Sequence, residues 1–304
     1  MTENTYRFNG HEVRRVGFGA MQLPGPGVWG PPRDHDQAVA VLRRAVQGGV
    51  DHIDTAQYYG PDVANQLIRE ALAPYPDHLR IVTKVGGRRG PNREWLRASE
   101  PQELRGAVEE NLRTLGVDRL DVVNLRLPGG ELEVKPGDPT LAEMLGALVD
   151  LREEGKIEGI GLSAATLEDL HEAQALTEIA CVQNAYHLLD RSSGPVLEAC
   201  RERGLAFVPY FPLGSAFGDS RRRIAEHPAV REVAGRHDAT TAQVALAWLL
   251  HVAPNVLLIP GTSSLDHLEE NLGAAGLALD DHDLHVLGAM APEAQAPTAP
   301  ADRS

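Results

Sequence analysis

One local grammar recurs along this chain: an amphipathic helical stretch, a glycine that stops it, and then a short apolar run. Residues 38–47 lead into Gly48 and Gly49 before segment 50–54, and residues 104–115 lead into Gly116 before 120–125. Residues 141–154 and 196–203 repeat the pattern, ending at Gly155 and Gly204 before 157–162 and 205–208. Glycine suits the position after a helix because it alone takes positive φ without a Cβ penalty. The apolar runs are rich in β-branched residues and suited to burial on both faces. Antiparallel neighbours would need short hairpins, whereas these connections are long and helical, so the strands are expected to be parallel.

Four further segments, 16–20, 79–83, 180–183 and 256–259, read as strands and bring the candidates to eight. Eight strand–helix units in 304 residues predict an α/β fold of the (β/α)8 TIM barrel type. No Pro/Ser/Gly-rich linker interrupts residues 1–290, which read as one domain, and the Ala/Pro-rich tail 291–304 is expected to be disordered. The competing architecture, a doubly wound dinucleotide fold, needs G-x-G-x-x-G between its first strand and first helix. Here Gly17 and Gly19 lack the third glycine, and Pro24 and Pro26 forbid an immediate helix.

A formal charge of −14 argues against binding nucleic acid through its phosphates, while leaving room for a small anion held by a local arginine cluster. No stretch approaches the roughly 20 apolar residues of a membrane helix, and the N-terminus lacks the build of a secretory signal. Cys181 and Cys200 have neither metal nor C-x-x-C spacing and read as free thiols of a cytoplasmic protein. The 12 histidines include no H-E-x-x-H, so no metal site is expected.

In a parallel barrel, chemistry collects at the C-terminal ends of the strands. Those ends carry Gly19, Ala20 and Met21, then Asp54 with Tyr59, Lys84, Arg126, Ser163, Gln183, Tyr210, and Gly261 with Thr262. Each has a plain explanation alone; Gln183, for example, could cap a loop. Together they describe a lined pocket. A free phenol titrates near ~10, so Tyr59 as an acid requires a neighbour that lowers its pKa. A buried Lys84 kept charged by Asp54 is the expected neighbour.

The D-T-A-x-x-Y-G segment at 54–60, Thr83-Lys84, Gly161-Leu162-Ser163 and Val182-Gln183-Asn184 occur in one order. Tyr210 to Gly214 and then Ile259 to Ser264 with Glu270-Asn271 complete that order. The ordered set resembles the aldo-keto reductase family, from about Val13 to about Leu287. Residues 19–32 and 120–126 further resemble a bacterial branch that includes pyridoxal reductases. The resemblance implies NADPH as cofactor, with NADH less favoured, and a small carbonyl substrate, with pyridoxal as a candidate. It makes Tyr59 the general acid, tuned by Lys84 and Asp54. The family's fourth catalytic residue is a histidine five positions beyond an aspartate; counting from Asp121 reaches Arg126 instead. Arginine cannot shuttle a proton but offers donors to an oxyanion or phenolate.

On the cofactor side, the resemblance puts Tyr210 against the nicotinamide and Ser163 and Gln183 on its carboxamide. The usual asparagine after the serine is Ala164 here. Gly19, Ala20 and Met21 border the same pocket, and Phe211, Pro212, Leu213, Gly214 and Ser215 form the implied pyrophosphate loop. Thr262, Ser263 and Ser264 open a helix whose free N–H groups suit a 2′-phosphate. Many relatives have lysine at Gly261 and arginine at His267, so the NADPH preference should be weaker here. Glu270 and Asn271 are candidate adenine contacts, against the plainer reading of a solvated helix face. Trp29 and Arg126 are the candidate substrate contacts. A regulatory subunit that binds nucleotide with little turnover is the alternative function.

Overall fold

The computed structural model describes residues 4–128, 137–215 and 218–290, so the 291–304 tail lies outside the described residues. The helix stops behave as their positions require: Gly49, Gly116, Gly155 and Gly204 take positive φ between 67° and 98°. At Gly116 space imposes the same choice, since a Cβ there would lie 2.6 Å from Arg69 Nε.

An antiparallel hairpin of β1 (Thr5–Phe8) and β2 (His11–Arg14) precedes the barrel. The sequence reading did not anticipate it, because four-residue strands leave little periodicity to read. The barrel strands are β3 (Phe18–Gly19), β4 (His52–Asp54), β5 (Arg80–Arg89), β7 (Leu120–Arg126), β8 (Ile157–Ser163), β9 (Cys181–Ala185) and β10 (Ala206–Tyr210). They pair in parallel in that order, and β6 (Trp95–Ala98) folds back antiparallel on the far end of β5. Between them run helices α1 (His35–Gln47), α2 (Val63–Leu72), α3 (Pro101–Leu115), α4 (Leu141–Glu153), α5 (Leu167–Leu176) and α6 (Gly194–Glu202). After β10 come α7 (Ser220–Glu226), α8 (Pro228–His237), α9 (Thr241–Val252), α10 (Leu265–Gly273) and α11 (Asp281–Gly288). Reciprocal capping boxes start α4 (Thr140 with Glu143), α5 (Thr166 with Asp169), α9 (Thr240 with Gln243) and α11 (Asp280 with Asp283).

The eighth position differs from its expectation. Residues 256–259 form two isolated parallel bridges, Val256 with Phe207 and Leu258 with Val16, rather than a continuous strand. Pro260 has no N–H with which to extend the ladder. The bridges still join β10 to the first strand, so the parallel (β/α)8 barrel is closed. β5 also runs past its predicted end, because its last four residues pair with β6 instead of with the barrel.

A residue that the sequence reading passed over secures this joint. Arg15 is 3% exposed and donates to the carbonyls of Leu250 at 2.7 Å, Ala253 at 2.6 Å and Val256 at 3.1 Å. Leu250 and Ala253 lie at the end of α9, where carbonyls lack intrahelical donors. Burial pulls the Arg15 guanidinium down to about 10, so it is still charged at neutral pH. Arg15→Met strands these acceptors and should lower unfolding stability by about 3 kcal/mol or more in a urea titration. A loss below about 1 kcal/mol would mean that another donor replaces it.

Candidate active site

Behind the ends of β4 and β5 lies a buried polar network. Thr55 Oγ1 donates to Asn65 Oδ1 at 2.8 Å, and Thr83 Oγ1 donates to Asn111 Oδ1 at 2.6 Å. Asn65 Nδ2 joins the two by donating to Asn111 Oδ1 at 3.0 Å and to Thr114 Oγ1 at 2.9 Å. The network ties the residues beside Asp54 and Lys84 to α2 and α3, and so fixes where both functional side chains start. Its two strand-end threonines lie in the motifs that carry Asp54 and Lys84, whereas no motif marks Asn65, Asn111 or Thr114.

Lys84 Nζ donates to Asp54 Oδ1 at 2.5 Å and to the Thr55 carbonyl at 3.0 Å. Gln183 Nε2, from β9 on the other side of the barrel, donates to Asp54 Oδ2 at 2.8 Å. Lys84 Nζ also lies 5.1 Å from the centroid of the Tyr59 ring. The three side chains expected to act together are therefore brought together, with Gln183 joining them. Half of the Gln183 amide is thus engaged by Asp54. Its Oε1 is buried with no hydrogen-bond partner among the described residues, leaving one acceptor aimed into the site.

The electrostatics correct one expectation. Burial first, and the Asp54 charge second, push the Tyr59 phenol well above its usual value, while Arg126 draws it down. The Lys84 ammonium is committed to Asp54 and a carbonyl, and of that pair it is the Asp54 charge that bears on the Tyr59 phenol. Arg126, at the end of β7, is the cation that reaches Tyr59, Tyr58 and Tyr210. No carboxylate among the described residues pairs with it. In register, Arg126 sits beside Ser163, and Ser163 beside Gln183.

The remaining candidates ring the same mouth. Tyr210 and Phe211 meet edge to face at 5.2 Å, with Phe211 at φ 54° and Gly214 at φ 94° in the loop that continues through Pro212 and Leu213. Ala164 follows buried Ser163 at φ 60°, a conformation that asparagine tolerates better than alanine. Gly19 and Gly261 pack backbone to backbone: a Cβ on Gly261 would lie 2.6 Å from the Gly19 carbonyl oxygen. Ala20 and Met21 form a single 3-10 turn beyond it. Ser264 caps α10, and its N–H donates to Thr262 Oγ1 at 3.0 Å; Ser263 and His267 are exposed and Glu270 is half-buried. Asn271 is 4% exposed, which removes the solvated-face reading for that residue. Trp29 bridges to Gly60, next to Tyr59.

Two further aromatic residues border the site. Tyr58 is 2% exposed, meets Tyr59 edge to face at 5.4 Å, and burial pushes its phenol up to about 12. Trp95 on β6 carries the Arg126 guanidinium 5.7 Å from its ring centroid. Tyr58 stands next to Tyr59 in sequence, whereas the hairpin that brings Trp95 back had no such signal. A surface depression of about 740 Å3 opens at the opposite end of the barrel beside Asn9, Glu158 and Leu205, away from these groups.

Each side chain of the Asp54–Lys84 pair is 6% exposed, so removing one partner strands a buried charge. Lys84→Met should cost about 3–5 kcal/mol of unfolding stability. Adding Asp54→Asn should return more than half of that loss, because no charge is then left unpaired. A double variant no more stable than Lys84→Met would show that charge imbalance is not the cause.

Comparison with known proteins agrees with this geometry. The family model described as "Aldo/keto reductase family" matches residues 15–290. Pyridoxine 4-dehydrogenase of Escherichia coli (strain K12) is 46% identical over 293 residues, covering 96% of this chain and 100% of that protein. An uncharacterized oxidoreductase of Schizosaccharomyces pombe is 39% identical over 269 residues, covering 88% and 83%. Among solved structures, an aldo-keto reductase from Klebsiella pneumoniae in complex with NADPH superposes with a TM-score of 0.81, at 28% identity and 98% coverage of both chains. With a family match across nearly all of the described residues and near-full-length identity to a bacterial relative, this chain belongs to the aldo/keto reductase family.

Proposed function

We propose that the chain is an NADPH-dependent carbonyl reductase that turns an aldehyde or ketone into an alcohol, with Tyr59 as proton donor and pyridoxal as candidate substrate. One observation carries the reading: Tyr59 stands beside the buried Asp54–Lys84–Gln183 cluster at the mouth of a closed barrel. The name of the E. coli relative points to the same alcohol–aldehyde pair, since dehydrogenation of pyridoxine at its 4-hydroxymethyl group gives pyridoxal. The free thiols of Cys181 and Cys200 fit a cytoplasmic setting.

The site fits the cofactor. The unpartnered Gln183 Oε1 is an acceptor for a carboxamide N–H, with Ser163 beside it, and Tyr210 offers a half-exposed ring. Residues 211–215 would follow the pyrophosphate, and the N-terminus of α10 with Thr262, Ser263 and Ser264 would hold the 2′-phosphate. Ala164 offers no side-chain donor, so one carboxamide contact is missing. Reduced nicotinamide supplies a hydride to the carbonyl carbon when bound.

The chain's own residues handle the proton. A raised pKa keeps Tyr59 protonated at working pH, as a general acid must be. Its hydroxyl transfers the proton to the carbonyl oxygen as negative charge builds there. Arg126 stabilises that charge and then the phenolate left on Tyr59, which offsets the effect of burial. It also favours substrates with an ionisable oxygen near the carbonyl, as pyridoxal has. Lys84, paired with Asp54, lies against the Tyr59 ring, and the Asp54 charge helps keep the phenol protonated.

Tyr59→Phe should lower kcat by about 10²-fold or more, with cofactor affinity nearly intact. In the same assay Arg126→Ala should lose about 3 kcal/mol of transition-state stabilisation, and more on pyridoxal than on a plain aromatic aldehyde. Retention of more than about a tenth of kcat in Tyr59→Phe would take Tyr59 out of the acid role. Because the active form for reduction is the protonated phenol and its pKa is raised, kcat for reduction should stay level from about pH 6 to about pH 9. Alcohol oxidation needs the phenolate and should rise across that range. A reduction rate that falls with an apparent pKa below about 8 contradicts the assignment.

NADPH should exceed NADH in kcat/KM, by a smaller margin than in relatives with lysine and arginine at positions 261 and 267. A preference for NADH would reject the 2′-phosphate reading. Tight NADPH binding without turnover of any aldehyde would favour a regulatory nucleotide-binding role instead.

A further inference from the structure

Arg89 sits where β5 has left the barrel, directly opposite Trp95 in the β5–β6 hairpin. Its guanidinium carbon lies 4.1 Å from the Trp95 ring centroid and 5.2 Å from that of Trp29. The hydrogen-bond donors go to main-chain carbonyls: Nη1 to Val28 at 2.9 Å and Gly27 at 3.3 Å, Nη2 to Arg93 at 2.6 Å, and Nε to Arg93 at 3.0 Å. Burial, and then the neighbouring Arg93, lower its pKa, with Glu94 opposing. A cation gains less from carbonyls than from a carboxylate, so this placement calls for a reason beyond charge pairing.

Two short chains of contact lead from it to the groups assigned to chemistry. Val28 O, which Arg89 holds, also accepts from Gly60 N at 3.1 Å, and Gly30 N donates to Gly60 O at 3.2 Å. Gly60 follows Tyr59 in sequence, so the loop of residues 24–32 clasps the backbone of the proton donor. On the other side, Trp95 meets Tyr58 edge to face at 5.8 Å and carries the Arg126 guanidinium. Tyr58 Cε1 and Arg126 Cδ in turn pack above Gly87, where a Cβ would lie 3.4 Å from the first and 3.8 Å from the second.

We propose that Arg89 is a positioning residue for the carbonyl reaction: it sets Tyr59 through Val28 and Gly60, and Arg126 through Trp95. The inference rests on the roles given above to Tyr59 and Arg126. It assigns Arg89 no contact with substrate. It makes the loop of residues 24–32 and the β5–β6 hairpin one unit, joined by a guanidinium between two indoles.

The test uses Arg89→Ala and Arg89→Lys in the full chain. In Arg89→Ala, kcat on pyridoxal should fall about tenfold or more, since small misplacements of reacting groups cost that much, while NADPH affinity by fluorescence titration changes less than about twofold. Low-millimolar guanidinium should restore several-fold of the lost kcat by entering the gap between Trp29 and Trp95, where equal ammonium should not. Arg89→Lys should fall between, because an ammonium keeps the attraction to the rings but not the fork of carbonyl contacts. A merely structural role would lower thermal stability and leave kcat and guanidinium rescue unmoved. Hydrogen exchange at the Gly60 amide reads the first arm without substrate and should quicken in Arg89→Ala. Unchanged Gly60 exchange or an unchanged kcat overturns the proposal. If Arg89→Ala does not fold, Arg89→Lys carries the same measurements. Failure of the wild-type protein to reduce any carbonyl would sink the functional reading alone, since the exchange experiment does not depend on it.

Discussion

Main-chain hydrogen bonds close the barrel, and the distances across its mouth follow from that closure. Phe207 N donates to Asn255 O and Leu257 N to Phe207 O, both at 2.9 Å, while Leu258 N donates to Arg15 O and Gly17 N to Leu258 O, both at 2.8 Å. Through them β10 meets the first strand, and only in a closed ring can a side chain of β9 reach one of β4. The Gln183–Asp54 hydrogen bond is that reach. Arg15 supports the joint from below by taking carbonyls that the end of α9 leaves without donors. The catalytic end of the barrel and its far end are thus coupled by the same short eighth segment.

Charge is arranged at the mouth so that Arg126 has no carboxylate partner among the described residues. Asp54 and Lys84 pair, and Gln183 adds a neutral donor to the carboxylate. Burial then raises the phenols of Tyr58, Tyr59 and Tyr210, which keeps all three protonated. Arg126 works against that tendency for each of them. On a chain of formal charge −14, the Arg126 guanidinium is a local reversal of sign at the place where carbonyl charge would develop. On the proposed reading, an arginine in place of the family's histidine moves the emphasis from proton relay to charge stabilisation.

The helix, glycine and strand grammar made the barrel legible, because each repeat is local: the helix period, the stop and the apolar run lie within about 25 residues. The ends of those strands made the candidate site legible for the same reason. What stayed hidden depends on distance in sequence. Arg15 answers carbonyls more than 230 positions away, and nothing near Arg15 announces them. Asn65 and Asn111 looked like ordinary polar residues of amphipathic helices until the fold brought Thr55 and Thr83 to them. The direction of the Tyr59 shift also escaped, because the residue pattern gives the neighbours but not the extent of burial. The short hairpins β1–β2 and β5–β6 lack the length that periodicity needs, and the pairing of Arg89 with Trp95 in the second of them stayed hidden.

The contact between Gly19 and Gly261 bears on how this barrel could change its cofactor preference. Gly19 pairs in register with Asp54, so the strand end that a side chain at position 261 would displace is the one that locates the buried carboxylate. A lysine introduced there would gain a cation near the proposed 2′-phosphate while disturbing the Asp54–Lys84 pair. Position 267 lies on the exposed face of α10 and carries no such coupling. The two family cations are therefore not interchangeable steps: arginine at 267 is open to this backbone as it stands, whereas lysine at 261 requires the first strand to move beforehand.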